Sequence, residues 1–535
     1  MIGVIFRKPQ STMVEEFFEL FKTPWEPARE GGVYDVVLTT NPGVSVPPAR
    51  LVLAFCPETM SFDEQFGIGF HSREKGGDVE WENSRVPVYG RFATFAENRE
   101  PVVCRKGSEA TGINSDFAGR MILRLGYDLF DEVDYLLHCG QPVGNAGIPT
   151  IEMHISMLRQ WILGAGIPLV EIPPTPHGYD FITCLTHDID FMGIRDHVFD
   201  HSMFGFIYRS LIPKYLKGLD KKTAASRYRK NLRALMSLPL VQAGILPDFW
   251  YPLGKYPEVE KERKSTFFFI PFKNRPGDAP AGNPVKYRAA RYDVGKHADP
   301  IRELKRQGRE IGLHGIDAWT DAQKGKEEIG VIRRITGEDR IGVRMHWLYF
   351  SDDTPRRLEE SGACYDSTLG YNEAVGYRSG TTQVFRLPGT KNLYELPLHA
   401  QDTAMFYPGR MGMSESVAID SCGKLIGDFR AHGGAFTINW HDRSLAPERN
   451  WDTAYHQLLG LLARERTWYA TGGEAVSWFK KRRACRFDAS TAIDGVPNVI
   501  LEGASTEDGP PVALRVHRPM SPGVETSRFE DRLLR

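Results

Sequence analysis

The sequence contains no apolar run approaching the roughly 18 residues that a transmembrane helix requires. The apolar start, residues 1–6, gives way to Arg7, Lys8 and Pro9, so it is too short for the apolar region of a signal peptide. The seven cysteines form no CxxC pair, which argues against a structural zinc site and a disulfide framework and favours reduced thiols. These absences predict a cytoplasmic protein.

An excess of charge of one sign is also lacking. The 535 residues carry 67 Lys and Arg against 68 Asp and Glu, so no overall field favours nucleic acid, and we expect no nucleic-acid partner. No GxSxG, P-loop, GxGxxG or HExxH motif is present, which argues against serine hydrolases, P-loop NTPases, dinucleotide enzymes and zincins. The apolar content of 41% provides enough material for a large core and argues against a disordered chain.

The first third of the chain predicts an α/β domain. Short apolar runs at residues 3–5, 36–38 and 51–55 predict strands, and residues 116–137 and 151–162 predict helices. A proline cluster at residues 171–177 indicates a border, because proline fits neither a helix interior nor a central strand. We therefore place an N-terminal α/β domain of unknown role at residues 1–175.

From residue 181, apolar strands alternate with amphipathic helices. Strands are predicted over residues 181–185, 266–271, 310–314, 342–350, 363–367, 394–399, 435–440 and 467–471, and helices over residues 299–307, 326–336, 354–361, 414–431 and 451–464. This alternation is typical of a parallel sheet, and seven or eight strands predict a (β/α) barrel over residues 176–485. Strand-like runs at residues 498–502 and 512–516 predict a small β-rich tail over residues 486–535.

The connection over residues 191–265 is too long for an ordinary loop, so we expect a functional insertion at the active face of the barrel. Residues 214–233 carry eight basic side chains and one acidic side chain, Asp220, and they follow an apolar stretch at residues 204–212. This pairing describes either a membrane-surface helix facing anionic lipid or a helical lid with one core face and one solvated face. Peripheral membrane contact through residues 204–233 is therefore one of two interpretations.

Polar side chains gather where the predicted strands end. The first strand leads into Thr186-His-Asp-Ile-Asp190, the third ends in His314, the fourth contains Arg344 and His346, the sixth leads from His399 to Asp402, and the seventh leads into His441 and Asp442. Active sites of such barrels lie at the carboxyl ends of the strands, so these side chains are expected in one pocket. Carboxylates and imidazoles together suit a divalent metal, and the histidine content favours zinc.

These motifs resemble the polysaccharide deacetylase (NodB-homology, carbohydrate esterase 4-like) superfamily. The resemblance rests on Thr183-Cys-Leu-Thr-His-Asp-Ile-Asp190, Glu310-Ile-Gly-Leu-His314, Arg344 with His346, Tyr365-Asp-Ser-Thr-Leu-Gly-Tyr371, and Thr437-Ile-Asn-Trp-His441. It is strongest to the bacterial branch with HDVD and EIGLH motifs, whose barrel is often preceded by an uncharacterised domain. The resemblance covers about residues 110–480.

The resemblance implies a metal site built on Asp190 and His314. Asp190 stands one position beyond the family's second aspartate, because Ile189 occupies the matching place. The family's second histidine, four residues after the first, falls on Ala318, which cannot bind a metal. A third ligand must come from elsewhere, and the alternatives are His346, His187 and Asp317, of which we favour His346.

The resemblance also implies the acid–base groups. Asp188 matches the general base that takes the proton of the attacking water, and Arg344 lies where the family places an arginine that orients this base. His441 matches the acid that protonates the departing amine, and Asp402 stands where a carboxylate tunes that histidine.

Together these features predict a metal-dependent deacetylase that removes the N-acetyl group of an amino sugar in a glycan or glycan precursor of envelope polysaccharide synthesis. Two alternatives stay open. One is a glycoside hydrolase on a related barrel, with Asp188 and Asp402 as its carboxylate pair. The other is a non-catalytic glycan-binding scaffold with a decayed site. The sequence leaves open the sugar, its linkage and the oligomeric state.

Overall fold

The computed structural model describes residues 1–96, 105–106, 109–117, 119–212, 220–280, 287–493, 496–501, 509–519 and 529–534. The chain divides into two compact units. Unit 1 consists of Met1–His177, Ser379–Thr381 and Trp478–Arg535, and unit 2 of Gly178–Arg378 and Thr382–Ser477. The segment from Trp478 onwards thus groups with the N-terminal residues. The functional borders at residues 175 and 485 stay predictions.

Unit 1 is built on a six-stranded sheet. The strands in the N-terminal part of unit 1 are β1 (Ile2–Ile5), β2 (Trp25–Pro27), β3 (Tyr34–Thr39), β4 (Ala49–Phe55), β5 (Phe70–Trp81), β6 (Ser84–Phe95), β7 (Arg105–Lys106), β8 (Glu109–Ala110), β9 (Gly112–Phe117), β10 (Arg120–Leu125) and β11 (Leu169–Glu171). The helices of this part are α1 (Ser11–Phe21), α2 (Leu129–His138) and α3 (Thr150–Gly164). The sheet order is β2-β1-β3-β4-β10-β9, and all pairs are parallel except β9 with β10. The strands predicted at residues 3–5, 36–38 and 51–55 and the helix at residues 151–162 are confirmed.

The helix predicted over residues 116–137 is wrong in its first half. Residues up to Leu125 form the antiparallel pair β9 and β10, and α2 begins only at Leu129. A short apolar run such as residues 121–125 fits a buried strand as well as a helix, so periodicity could not separate the two. Asp128 sets the helix start, because its Oδ1 accepts the backbone N–H groups of Phe130 and Asp131.

Unit 2 contains a seven-stranded parallel sheet. The strands of unit 2, in the sheet and outside it, are β12 (Phe181–Ile189), β13 (Ser265–Phe269), β14 (Glu310–Gly315), β15 (Val343–Met345), β16 (Phe385–Arg386), β17 (Tyr394–Glu395), β18 (Ala400–Gln401), β19 (Ala435–Asn439) and β20 (Thr467–Tyr469). The order is β15-β14-β13-β12-β19-β18, β20 also pairs with β12, and β16 pairs with β17 in a separate hairpin. The predicted α/β class with a parallel sheet is confirmed, whereas closure into a (β/α) barrel stays a prediction.

Three of the strands predicted in this unit are clearly shorter than expected. Of the strand predicted over residues 394–399, only Tyr394–Glu395 forms, and it pairs with β16 outside the seven-stranded sheet. The strand predicted over residues 342–350 ends at Met345, because Trp347 and Leu348 adopt the left-handed region with φ of 65° and 57°. Residues 363–367 form only isolated bridges, which join Asp366 to Val343 and to Glu395. The sheet therefore becomes irregular beyond β15.

Helices connect these strands and build the insertion. They are α4 (His201–Leu211), α5 (Lys221–Gln242), α6 (Pro252–Glu260), α7 (Ala298–Arg306), α8 (Ala322–Thr336), α9 (Thr354–Ser361), α10 (Asp402–Phe406), α11 (Glu415–His432) and α12 (Asp452–Leu462). The insertion contributes α4, α5 and α6, and its buried core includes Met203, Phe206, Leu238 and Trp250. Residues 213–219 of the predicted membrane-contact segment lie outside the described residues.

The C-terminal part contains one helix and four strands. These are α13 (Gly472–Ala484), β21 (Cys485–Ile493), β22 (Val496–Leu501), β23 (Ala513–His517) and β24 (Phe529–Leu533). The predicted strands at residues 498–502 and 512–516 are confirmed, and β23 pairs with both β11 and β24. Among the described residues, no helix combines the length and apolar character needed to cross a bilayer.

Candidate metal and acid–base site

The candidate site lies at the carboxyl ends of four parallel strands of unit 2, β15, β14, β12 and β19, with β13 between β14 and β12. Asp188 is the penultimate residue of β12, Asp190 follows that strand, and His314 lies near the end of β14. In the sheet register, His314 pairs with Arg344 on β15, and Thr186 pairs with Asn439 on β19. Because the strands are parallel, their carboxyl ends meet at one edge of the sheet.

Asp190, His314 and His346 form a group that could hold a metal ion. Their candidate ligand atoms all lie within 4.8 Å of one another. Nε2 of His314 is 3.0 Å from Nδ1 of His346, and Oδ1 of Asp190 lies 3.3 Å from the first atom and 3.4 Å from the second. Oδ1 of Asp190 is buried and accepts no hydrogen bond from any described residue.

Each of the two imidazoles also makes a hydrogen bond through the ring nitrogen that faces away from Asp190, and this bond shows which nitrogen carries a hydrogen. Nδ1 of His314 faces the carbonyl oxygen of Arg344 at 3.0 Å, and Nε2 of His346 faces the carbonyl oxygen of Arg288 at 3.2 Å. A carbonyl only accepts, so each of these nitrogens carries the hydrogen. Burial lowers the pKa of His346 to about 3, which keeps its ring neutral.

Three candidate ligand atoms therefore converge: one carboxylate oxygen and the inner nitrogen of each imidazole, which offers a lone pair in the neutral ring. Such a grouping is unfavourable for a protein alone and is stabilised by a cation between the donors. Two histidines with one carboxylate form a ligand set typical of catalytic zinc. The residues present thus fit the predicted divalent metal, and the mixed donors do not by themselves fix its identity.

Asp188 lies beside this group and is held by two partners. Its Oδ1 accepts a hydrogen bond from Nη1 of Arg344 at 3.1 Å, and its Oδ2 accepts one from Nδ2 of Asn439 at 2.8 Å. Oδ2 is also 3.8 Å from Nε2 of His314 and 4.0 Å from Nε2 of His441. Burial opposes the charged form of Asp188, but the positive charges of Arg344 and His441 outweigh this effect and lower the pKa of Asp188.

Arg344 is fixed by the block that follows β15. Its Nε donates to the carbonyl oxygen of Ser367 at 2.9 Å, its Nη2 donates to Oγ of the same serine at 2.8 Å, and its Nη1 donates to Oγ1 of Thr186 at 2.7 Å. The guanidinium also lies 4.6 Å from the ring centroid of Phe268, within cation–π distance. A fully buried arginine held in this way presents its charge to Asp188 in one orientation.

His441 faces Asp188 across the site and is paired with Asp402 on its other side. Nδ1 of His441 lies 2.6 Å from Oδ1 of Asp402, whose Oδ2 accepts the backbone N–H of His441 at 2.7 Å and the hydroxyl of Ser444. Burial lowers the pKa of His441, but the Asp402 carboxylate more than offsets this effect and raises it to about 10. His441 is therefore cationic at neutral pH, with Nε2 directed toward Asp188.

All seven predicted site residues are brought together here: Asp188, Asp190, His314, Arg344, His346, Asp402 and His441. Their assigned roles stay predictions. Among the three alternatives for a third ligand, only His346 joins the group, since Asp317 pairs with Arg275 at 3.3 Å. His187 points the other way, and its ring binds Glu260 at 2.7 Å and the carbonyl oxygen of Trp440 at 2.8 Å.

Sequence reasoning assigned no role to four residues that shape the site: Thr186, Ser367, Asn439 and Ser444. The first three lie inside the motifs that carried the resemblance. Asn439 is two residues before His441, so alternation on β19 was a signal that it shares the strand face of a site residue. No sequence signal pointed to Ser444.

Comparison of the sequence with protein-family models and with curated proteins gave no match. Solved structures do match, at low identity. A Mycobacterium smegmatis protein named as a polysaccharide deacetylase is 19% identical, with a TM-score of 0.35, and the match covers 58% of this chain and 95% of that one. A Pseudomonas aeruginosa PAO1 protein named in the same way is 14% identical, with a TM-score of 0.36, and the match covers 58% of this chain and 95% of that one. Puue allantoinase is 14% identical, with a TM-score of 0.34, and the match covers 57% of this chain and 91% of that one.

Proposed function

We propose that this protein is a metal-dependent deacetylase that hydrolyses the N-acetyl group of an amino sugar in a glycan or glycan precursor of envelope polysaccharide synthesis. The observation that carries the proposal is the convergence of three candidate metal ligands, Asp190, His314 and His346, beside an opposed carboxylate and imidazolium. Amide hydrolysis needs these parts: a Lewis-acid site, a base for water and an acid for the amine.

Asp190, His314 and His346 are the residues that would hold the ion, and zinc is the metal that we favour. A bound divalent ion supplies Lewis-acid chemistry, which polarises the acetyl carbonyl and makes the attacking water more acidic. The carbonyl oxygens of Arg344 and Arg288 fix the ring orientation of the two histidines. These second partners place the hydrogen of each neutral ring on its outer nitrogen, so the inner nitrogen offers its lone pair to the ion.

Asp188 is proposed as the general base. It stays ionised because Arg344 binds its Oδ1, and Asn439 fixes its Oδ2 toward the donor group. In this position Asp188 takes one proton from the attacking water. Arg344 and Asn439 act through Asp188 and are positioning residues.

His441 is proposed as the general acid. The hydrogen on its Nδ1 is held by Asp402, so Nε2 carries the proton that can leave. The departing amine nitrogen takes this proton as the carbon–nitrogen bond breaks. The raised pKa of His441, about 10, keeps the acid protonated at neutral pH.

The partly exposed aromatic ring of Trp347 supports a carbohydrate substrate. This residue follows His346 directly, the two ring centroids are 5.7 Å apart, and its backbone is held at φ 65°. A strained residue at the edge of a site is typical of a functional position, and an indole face can stack on a sugar ring.

The contacts of Asp402 argue against the glycoside hydrolase alternative. A glycosidase requires two carboxylates that face each other across the sugar. Asp402 is fully buried, and both of its oxygens are occupied by His441 and Ser444. The ring of His441 thus lies between Asp402 and the site, so Asp402 cannot serve as the second carboxylate opposite Asp188.

The test is acetate release from N-acetylglucosamine oligomers by zinc-loaded protein, with reducing-end formation measured in the same reaction. We expect acetate without new reducing ends, and loss of acetate release after chelation that zinc restores. Reducing ends without acetate would establish the glycosidase instead. Stoichiometric zinc without either product, across oligomeric, lipid-linked and nucleotide-linked substrates, would favour the binding scaffold.

A further inference from the structure

Exposed apolar side chains are concentrated in the insertion of unit 2. Of the 21 large hydrophobic residues exposed in the described part of the chain, ten lie between residues 198 and 246. These are Val198, Phe199, Phe204, Tyr208, Leu211, Ile212, Met236, Leu240, Ile245 and Leu246. Single exposed apolar residues are ordinary, but a concentration of this kind marks an interaction surface.

Six of these residues surround the C-terminal end of α5, and we name them the apolar tip: Val198, Phe199, Met236, Leu240, Ile245 and Leu246. Side-chain hydrogen bonds hold the parts of the tip together. Nε2 of Gln242 donates to the carbonyl oxygens of Ile194 at 2.8 Å and His197 at 3.3 Å, and Nε of Arg195 donates to the carbonyl oxygen of Val241 at 2.8 Å. The turn that carries Phe199 is thereby fastened to the end of the helix.

Phe199 is the most exposed member of the tip. Its accessibility is 80%, against 72% for Met236 and 68% for Ile245, and its backbone lies in the left-handed region at φ 53°. A bulky residue rarely adopts that conformation, because it costs conformational free energy. Exposing an aromatic ring at this cost indicates a contact that the free chain does not satisfy.

The exposed face of α5 continues from the tip into basic residues. Arg229, Arg233, Met236 and Leu240 are three or four residues apart, so they share one face of the helix, and all four are exposed. The helix contains no acidic residue between Lys221 and Gln242. An unopposed positive face thus adjoins the exposed apolar group.

The neighbouring charges do not cancel this basic face. On a different face of α5, Arg227 and Lys230 pair with Glu415 and Asp452. The acidic residue next to Phe199, Asp200, accepts the backbone N–H groups that begin α4 and pairs with His197 at 2.7 Å. Its charge is therefore already engaged locally.

We propose that the apolar tip, with Arg229 and Arg233, docks on the surface of an anionic lipid bilayer. Apolar side chains insert among the acyl chains while guanidinium groups bind lipid phosphates, which is the chemistry that this surface presents. A second copy of the chain fits less well. In a two-fold contact the same residues meet, so the arginines of both copies would be brought together without an acidic partner. Docking does not rest on the proposed hydrolysis.

The test is co-sedimentation of the full-length protein with vesicles of phosphatidylcholine alone or with 30% phosphatidylglycerol added, a composition chosen as roughly that of an anionic membrane. We expect binding to the anionic vesicles only. In Phe199→Asn with Ile245→Ser, binding should be lost, and asparagine keeps the left-handed backbone accessible. In Arg229→Glu with Arg233→Glu, affinity should fall by more than about thirtyfold. Thirtyfold is the loss expected from removing two basic residues near the surface, and the two added carboxylates are also repelled by anionic lipid.

Matched variants elsewhere serve as controls. Val33→Ser with Val417→Ser removes exposed apolar side chains, and Lys326→Glu with Arg334→Glu reverses two exposed charges of α8, so both variants should bind vesicles like the unmodified protein. Equal binding by the tip variant and the parent overturns the proposal. Absence of vesicle binding by the parent also overturns it, as does a concentration-dependent dimer that the same tip substitutions abolish.

Discussion

At the scale of single residues, the central prediction concerns Asp188. We expect Asp188→Asn to lower deacetylation by about 10²–10⁴-fold, because asparagine keeps the shape and a hydrogen-bond acceptor but cannot take a proton. Metal content, measured by atomic emission, should be unchanged, since Asp188 stands outside the three-donor group. Asp299→Asn, at a fully exposed carboxylate, is the control and should leave both quantities as they are. Metal loss in Asp188→Asn would make Asp188 a ligand and exchange the roles of the two aspartates.

The third ligand is tested by comparing two histidines. We expect His346→Ala to lose bound zinc, because only two protein donors, Asp190 and His314, would remain. His187→Ala should keep its zinc, because that ring faces Glu260 and the carbonyl of Trp440 instead. The measurement is zinc per folded protein after dialysis, with folding checked by circular dichroism. Full zinc and full activity in His346→Ala would return that residue to a structural role.

At the scale of secondary-structure elements, sequence reasoning succeeded where hydrophobic pattern and strand position agreed. Three predicted strands combine an apolar run with polar residues at its end: residues 181–185, 310–314 and 435–440. They correspond to β12, β14 and β19, whose polar ends lie close together. The pattern could not show that β15 stops at Met345, because that depends on the left-handed backbone of Trp347 and Leu348. This turn comes directly after His346, so the chain leaves the sheet at the candidate metal site.

Local sequence favoured His346 over His187 as the third ligand but did not show what each ring contacts. His187 directly precedes Asp188 and His346 follows Arg344 by two residues, and only His346 reaches Asp190. The difference arises from long-range partners: Glu260, on the insertion helix α6, binds His187, whereas His314 meets His346 across the sheet. Such partners are separated by tens of residues, so they are fixed by the fold and not by spacing.

The pairing of Asp402 with His441 joins α10 to the end of β19 and predicts a pH effect. The Asp402 carboxylate raises the pKa of His441 against the effect of burial, so the acid loses its proton only in the alkaline range. Asp402→Asn removes the negative charge that raises the pKa of His441. The alkaline limb of the pH profile of kcat/KM should therefore shift to lower pH by about one to two units. Ser444→Ala keeps the carboxylate and is the matched control. An unmoved limb in Asp402→Asn would show that another group sets it.

At the scale of the whole molecule, the two units place their buried titratable groups differently. Unit 2 gathers Asp188, Asp190, His314 and His441 around the candidate site, where they neighbour one another. Unit 1 buries His154 inside α3, where its Nδ1 lies 2.7 Å from the carbonyl oxygen of Thr150 and its Nε2 has no partner among the described residues. His154 should therefore contribute to the pH dependence of unit 1 independently of the buried carboxyl groups of that unit.

We expect His154 to reduce the stability of unit 1 as the pH falls from 7 to 5. Asp128 and Glu132, whose pKa values burial raises to about 6 and about 7, act in the opposite direction over this range, so the contribution of His154 is read as a difference between variants. Burial lowers the pKa of His154 to about 4, below the 6.5 of an unfolded histidine, so unfolding takes up a proton. A group whose folded pKa is depressed in this way contributes no pH dependence well above pH 6.5. It destabilises the fold progressively between pH 6.5 and 4, by roughly 2 kcal/mol at pH 5. Hydrogen exchange of peptides covering α3 measures the free energy of opening at each pH. The loss caused by His154 is the difference in this free energy between the parent and a His154 variant. In His154→Phe, which keeps a ring beside Tyr127, the loss should shrink by most of that amount, whereas His138→Gln, at an exposed histidine, should leave it unchanged. An acid-induced loss as large in His154→Phe as in the parent would assign the effect to other groups.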